Sequence, residues 1–401
     1  MSGDATDGRS FPDGFTWGAA TAAHQIEGGN WNNDWWAWEH ATGSPCAETS
    51  GDACDSWNRW PEDVDLAAGM GLGTYRFSVE WSRIEPEPGE WSHAAVDHYR
   101  RLCRALRDRG VEPTVTLHHF TTPRWVAAAG GWEDPATADR FAAFCRRLAG
   151  ELGEVIGRVC TINEPNVVAT IGWLVGAFPP GKTDRGLRRR VNDVLVDAHR
   201  KAVEAVRAAA PGVPVGLTLS MTDYQAVGGG EARRDRIRAS MEDVFLDAAE
   251  GDDFLGVQAY SRMRIGPDGT LGPEDGVPVL DMGYELWPQG LEACLRRAWA
   301  RTGGQVPLVV TENGIGTTDD AQRIAYVHDA LAGVLRALAD GVDVRGYTYW
   351  SLMDNFEWAF GYRPRFGLVA VDHRSFERTP KPSAAWFAKV AAANALLPPP
   401  G

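Results

Sequence analysis

A short β-like run followed by a helical stretch recurs eight times along this chain, and no linker, low-complexity tract or shift in composition interrupts the rhythm. The runs are FTWGAAT (15–21), TYRFSV (74–79), EPTVTLHH (112–119), VCTINE (159–164), PVGLTLS (214–220), FLGVQAY (254–260), PLVVTEN (307–313) and VRGYTYWSL (344–352). Between them lie helical patterns such as Ile324, Val327, Leu331, Leu335 and Leu338, which share one face of a helix expected to stop near Gly341. Eight strand–helix units close most economically into an α/β fold of one kind, a single (β/α)8 TIM barrel. We expect the barrel over residues 11–397, with a flexible tail at 1–10 and a Pro-rich tail at 398–401. An open doubly wound sheet is the alternative. Its marker would be a glycine-rich strand-to-helix turn, and GMGLG (69–73) does not qualify because a strand-like run follows it.

Composition then removes several classes of partner. The formal net charge of −14 argues against nucleic acid and anionic membranes, since both repel an acidic surface. No apolar run approaches the roughly 20 residues that cross a bilayer, and the start, MSGDATDGRSFPDG, lacks the apolar core of a signal peptide. Cytoplasmic residence is the expectation. The six cysteines form no CxxC pair and no zinc spacing. Cys103, Cys145 and Cys294 fall on helical patterns and Cys160 on a strand, as small buried thiols. Cys46 and Cys54 share a loop, where a disulfide is conceivable but disfavoured in a reducing compartment. The 17 tryptophans offer flat apolar faces of the kind that suit the C–H faces of sugars.

In (β/α)8 barrels, functional groups gather at the C-terminal ends of the strands. Here Gln25 and Glu27 follow the first run, Arg76 lies in the second, and the third ends in His118 and His119. The fourth ends in Asn163 and Glu164, the sixth in Tyr260 and the seventh in Glu312 and Asn313, while the eighth leads through Trp350 to Glu357. Glu164 and Glu312 would face each other across the mouth, and two facing carboxyls are the minimum apparatus for cleaving a glycosidic bond. One must carry a proton and the other a charge, so they need different surroundings. Arg76 and Tyr260 could hold Glu312 anionic. Glu164 has no basic neighbour in sequence, so we cast it as acid/base and Glu312 as nucleophile.

Taken singly, each of these residues has a plainer reading. A glutamate at a strand-to-helix junction usually completes a helix cap, ENG can be a turn with Gly314 at positive φ, Arg76 a structural ion pair, Tyr260 a core residue and His118 a hydrogen-bonded core histidine. Metal-dependent hydrolysis would need several His and Asp ligands at strand ends. His24, His118 and His119 complete no such set, so no metal and no cofactor is expected, and His119 is read as a sugar-hydroxyl contact.

TINEP (161–165) and VTENG (310–314) resemble the acid/base and nucleophile signatures of glycoside hydrolase family 1, the β-glucosidase-type barrels. The resemblance runs from FTWGAATAAHQIEGG (15–29) to YWSLMDNFEWAFGYRPRFGLVAVD (349–372). It implies that Gln25, His119, Asn163, Glu357 and Trp358 hold hydroxyls of the sugar in the −1 subsite, and that Trp350 lies under its ring. It implies that Arg76 and Tyr260 support the nucleophile. It also implies retention of anomeric configuration through a covalent glycosyl-enzyme, with carboxyls about 5 Å apart. Glu357 stands where a phospho-sugar would be repelled, so the substrate should be a neutral β-glycoside, hydrolysed from its terminal non-reducing end. Glucosyl is the expected glycone, with galactosyl or fucosyl as side activities. A transglycosylase using the same glutamates, or a non-catalytic sugar-binding barrel, are the alternatives.

The chain departs from the family pattern in a few places. Gln258 stands two residues before Tyr260 where asparagine is common and could shift Tyr260 or the neighbourhood of the acid/base. Phe120 and Thr121 replace a tryptophan and an aspartate. A short connection between the sixth and seventh strands should open the aglycone side to bulky or apolar groups. NWNNDWWAWEH (30–40) either rims that opening or packs outside it.

Overall fold

The computed structural model describes residues 10–400. Eight parallel strands close into a barrel in sequence order: β1 (Thr16–Ala20), β2 (Thr74–Ser78), β3 (Glu112–His118), β4 (Arg158–Asn163), β5 (Val215–Ala226), β6 (Phe254–Ile265), β7 (Leu308–Glu312) and β8 (Val344–Trp350). Closure is direct, because Ala20 at the end of β1 pairs with Arg76 on β2 and with Trp350 on β8. Helices fill the connections and bury one apolar stripe each against the strands. His93–Asp108, for example, hides Val96, Tyr99, Cys103 and Leu106, and Ser92 caps its start by accepting from Ala95 N. Asp320–Ala339 is capped by Asp319 and gives way to Gly341 at φ 85°, the stop expected from sequence. Ser56–Gly69 runs into GMGLG and β2 follows at Thr74, so that glycine cluster ends a helix and opens no nucleotide turn.

Two features lie outside the eight-unit rhythm. A small antiparallel pair, β9 (Val369–Val371) and β10 (Arg378–Pro380), precedes the last helix, Pro382–Ala393. The other is the length of β5 and β6, which run to Ala226 and Ile265, beyond the expected ends at 220 and 260. Past a register shift between Met221 and Asp223 they continue as a parallel ribbon, Asp223 opposite Arg262 and Ala226 opposite Ile265. Its polar residues, Asp223, Gln225, Arg262 and Arg264 among them, leave no apolar run to mark a strand.

The expected tail at 1–10 lies outside the described residues except for Ser10, which pairs with Ala395. Of the expected tail at 398–401, Pro398 accepts a hydrogen bond from Trp386 Nε1 at 3.1 Å, and Gly401 lies outside the described residues. All six cysteines are free, Cys46 and Cys54 included. Among the described residues no helix is long and apolar enough to cross a membrane.

Candidate active site

β4 ends the way a functional strand should. Glu164 follows it with φ 46° and ψ 58°, a left-handed conformation that costs a non-glycine residue on the order of 1 kcal/mol. It occupies the N-cap position of the short helix Pro165–Thr170, yet its side chain makes no cap bond. The capping explanation therefore fails, and the backbone twist has a different effect. Successive strand residues face opposite sides, but the twist lets Asn163 and Glu164 both line one cavity of about 350 Å³.

β7 delivers Glu312 to the same cavity, in register with Gln258 of β6. One carboxylate oxygen accepts from Arg76 Nη1 at 2.6 Å and the other from the Tyr260 hydroxyl at 2.6 Å. Arg76 is fully buried, and its other amino group donates to Asn163 Oδ1 at 2.5 Å. Gly314 does not take a positive φ as the turn reading would have it. Its role is close approach, since a Cβ there would lie 2.1 Å from the Trp350 carbonyl oxygen.

The two carboxyls are treated unequally. Burial raises the proton affinity of both. For Glu312 the opposing influences are Arg76 and the Tyr260 hydroxyl. For Glu164 the second influence is the negative charge of Glu312, which raises it further, against only a Ser220 hydrogen bond and the more distant Arg76. Of the pair, Glu164 keeps the proton and Glu312 gives it up.

Around them the polar groups of the cavity are braced by the protein. Gln25 Nε2 donates to Phe356 O at 2.7 Å and Asn355 Oδ1 at 3.0 Å. Asn163 Nδ2 donates to His119 Nε2 at 3.2 Å, which puts the ring proton on Nδ1. Burial keeps His119 neutral. Gln25 Oε1 and His119 Nδ1 are buried with no hydrogen-bond partner among the described residues, and both residues line the cavity. Glu357 accepts from Trp350 Nε1 at 3.3 Å, and Trp358 lies parallel to His119 with ring centres 6.1 Å apart. Nine of the ten residues singled out from sequence line this cavity, and Arg76 reaches it through Glu312 and Asn163. A larger groove of about 900 Å³ lies elsewhere, between the helix Ser56–Gly69 and residues 375–388, and contains none of them.

The family model for glycosyl hydrolase family 1 matches residues 8–249 and 258–396. The chain belongs to glycosyl hydrolase family 1. Thermostable β-glucosidase B of Thermobispora bispora is 35% identical over 449 aligned residues, covering 98% of this chain and 93% of that one. Among solved structures, the β-glycosidase BGL167 superposes with a TM-score of 0.90 at 45% identity, over 98% of this chain and 99% of that one. The β-glucosidase from Thermotoga maritima in complex with galacto-hydroximolactam superposes with a TM-score of 0.91 at 30% identity, over 97% and 100%. This family 1 chain is a glycoside hydrolase of the β-glucosidase type.

Several expectations about the family 1 site need correcting. His118, expected to be a hydrogen-bonded core histidine, has no partner on either nitrogen among the described residues, and it packs edge-on to Trp132 with ring centres 5.1 Å apart. Burial holds it neutral, with its pKa lowered to about 3. Glu27 and Asn313 also leave the mouth: Glu27 accepts from Tyr99 and pairs with Arg83, and Asn313 donates to Ala259 O. The reason is strand alternation, which sends His118 and Asn313 outward once His119 and Glu312 point in. Gln258 does not displace Tyr260. It donates to Asn163 Oδ1 at 3.1 Å while Tyr260 stays on Glu312. Phe120, at φ 70°, lines the cavity, and Thr121 donates to the buried Glu80.

Tryptophans 31–38 do not rim the mouth. Trp35 is buried against Trp358, with ring centres 4.6 Å apart, and Trp31 is 61% exposed away from the cavity. Sequence reasoning missed Ser220, although it ends the predicted fifth strand. It also missed an outer wall of Val167, Phe178, Met221, Met263, Met282 and Tyr284, which carries no motif. No group of three or more His, Cys, Asp or Glu able to hold a metal is found among the described residues.

Proposed function

We propose that the protein is a retaining exo-β-glycosidase, with Glu312 as nucleophile and Glu164 as acid/base. The observation that carries this reading is the unequal treatment of the two glutamates in one cavity. Both oxygens of Glu312 are held by donors, whereas Glu164 is pushed toward its neutral form by burial and by Glu312. Glu312 attacks the anomeric carbon while Glu164 gives its proton to the departing glycosidic oxygen, and the aglycone leaves as an alcohol. Glu164, now ionised, takes a proton from water as that water attacks the anomeric carbon. The bond to Glu312 breaks, and the sugar is released with its original β configuration.

The glycone lies in the inner part of the cavity. Gln25 Oε1 and His119 Nδ1 are unpartnered acceptor and donor for its hydroxyls, Asn163 serves the 2-hydroxyl, Trp350 lies under the ring, and Glu357 with Trp358 reaches the far side. A neutral sugar suits this end, because no cation pairs with Glu357 among the described residues. At the inner end Gln25 is fixed by Asn355 and Phe356, and the glycone held there is a terminal residue. Glucosyl is the primary glycone. Galactosyl, and fucosyl as its 6-deoxy form, are side activities, in keeping with the galacto-configured ligand in the Thermotoga maritima structure. The aglycone side opens toward solvent and tolerates bulky, apolar groups.

Proton NMR of an aryl β-glucoside digest in deuterated buffer tests the mechanism. The first glucose signal to grow should be the β anomer, with the α anomer following only by mutarotation. An α anomer appearing first would mean inversion and would overturn the roles given to Glu164 and Glu312.

A further inference from the structure

In the outer cavity the Ser261 hydroxyl donates to Glu285 O at 2.6 Å, and the Tyr284 hydroxyl points to the Met282 sulfur at 3.9 Å. Arg262 spends its donors on protein: Nε and Nη2 on the two oxygens of Glu285 at 2.6 and 3.2 Å, Nη2 also on Glu274 at 2.5 Å, and Nη1 on Gln225 at 3.1 Å. Its guanidinium lies 3.6 Å from the ring centre of Trp287, and the side chain is almost fully buried. This contrasts with the inner cavity, where Gln25 and His119 keep unpartnered polar atoms. Apart from the hydroxyls of Ser220, Thr222 and Tyr284, the outer wall is thioether and hydrocarbon from Val167, Phe178, Met221, Met263 and Met282.

Arg262 also determines where that wall stands. Glu285 belongs to a tight hairpin in which Leu280 N donates to Tyr284 O and Leu286 N to Pro278 O. Met282 sits at the hairpin's tip, beside Gly283 at φ 86°, and packs on the cluster formed by Trp350 and Phe366 with Tyr260. The Arg262 clasp therefore fixes, from the β6 ribbon, the one segment that carries Met282 and Tyr284 over the site. Three of the chain's seven methionines, Met221, Met263 and Met282, line this single cavity. Unbranched thioethers adapt to flat rings and make favourable sulfur–aromatic contacts.

We propose that the leaving-group subsite is a methionine wall for a flat aromatic aglycone, and that Arg262 is the positioning residue that holds this wall in place. The proposal rests on the glycosidase reading above and names the aglycone class for that site. Arg262 touches no reacting atom. Its effect should appear as selectivity between aglycones and not as a general loss of turnover.

The test compares kcat/KM for 2-naphthyl β-D-glucoside and for cellobiose in the wild type and in Arg262→Gln, Met282→Ala and Met282→Leu. Arg262→Gln and Met282→Ala should lose about tenfold on the naphthyl substrate, the equivalent of removing one or two good apolar contacts, and no more than about threefold on cellobiose. Met282→Leu should recover most of the loss. Equal losses on both substrates, or none on the naphthyl glucoside, would overturn the proposal. Met282→Ala keeps the test decisive if Arg262→Gln does not fold. A wild type that cleaves neither substrate would instead overturn the glycosidase reading itself, a result distinct from a wild type that cleaves both without aglycone-selective losses in the variants.

Discussion

Replacing Glu312 with alanine should lower kcat for aryl β-glucosides by on the order of 10⁵-fold, with the protein still folded. Among the described residues, Glu312 is the one carboxylate of the cavity that an arginine holds, so nothing takes over the attack. The change also leaves Arg76 buried without its ionised partner, and breaking such a pair costs about 3–5 kcal/mol. Thermal unfolding should be recorded beside the kinetics, and Glu312→Gln is the better-folded control because it preserves an oxygen for Arg76. Small anions such as azide, placed where the lost carboxylate stood, should restore turnover and yield the α-glycosyl azide. Retention of more than about one per cent of wild-type kcat in Glu312→Ala would contradict a nucleophilic role.

Glu164→Gln should divide substrates by the quality of their leaving group. Aryl glucosides with poor leaving groups lose about 10²–10⁴-fold, the usual worth of a positioned general acid. A dinitrophenyl glucoside, which needs no protonation, should form the glycosyl-enzyme at near the wild-type rate and then stall, because no base activates water. The same variant should change the pH profile. Burial and the charge of Glu312 raise the pKa of Glu164, so its acid form persists above the usual carboxylate range and activity falls as pH rises through the raised value. Glu312 acts ionised, and its pKa is also raised by burial, against Arg76 and Tyr260, so activity falls as pH drops through that value. The wild-type profile for glycosylation is therefore a bell displaced to higher pH than two ordinary glutamates would give. Glu164→Gln should lose the alkaline limb and keep the acid one. Persistence of the alkaline limb in that variant would assign it to another group.

Much of this site was legible in the sequence because a barrel strand advertises its functional end. An apolar run that should disappear into a core stops on a charged or polar residue, as at His119, Glu164 and Glu312. Eight such runs with helices between them leave little choice of fold. The face to which a residue points was not legible where two polar residues stand side by side. His118 and His119, or Glu312 and Asn313, differ only in register, and Asn163 and Glu164 share a side through a left-handed backbone that no pattern announces. The β5–β6 ribbon was missed because its polar residues, such as Asp223, Gln225, Arg262 and Arg264, break the apolar run that marks a strand. The methionine wall was missed for a stronger reason. It is assembled from β5, β6 and a hairpin, and its placement depends on Arg262, a contact between distant residues that sequence spacing does not encode. The tryptophans of 30–40 show the converse, a conspicuous cluster whose buried member braces Trp358 from behind.

The central claim is that Glu312 becomes covalently glycosylated. Incubation with a 2-deoxy-2-fluoro-β-glucosyl donor carrying a good leaving group slows both steps, the second more than the first, and intact and peptide masses then locate the sugar. A single fluoroglucosyl adduct on the peptide containing Glu312 is the predicted result. An adduct on Glu164 or any other residue, or none with gluco, galacto and fuco donors alike, would contradict it.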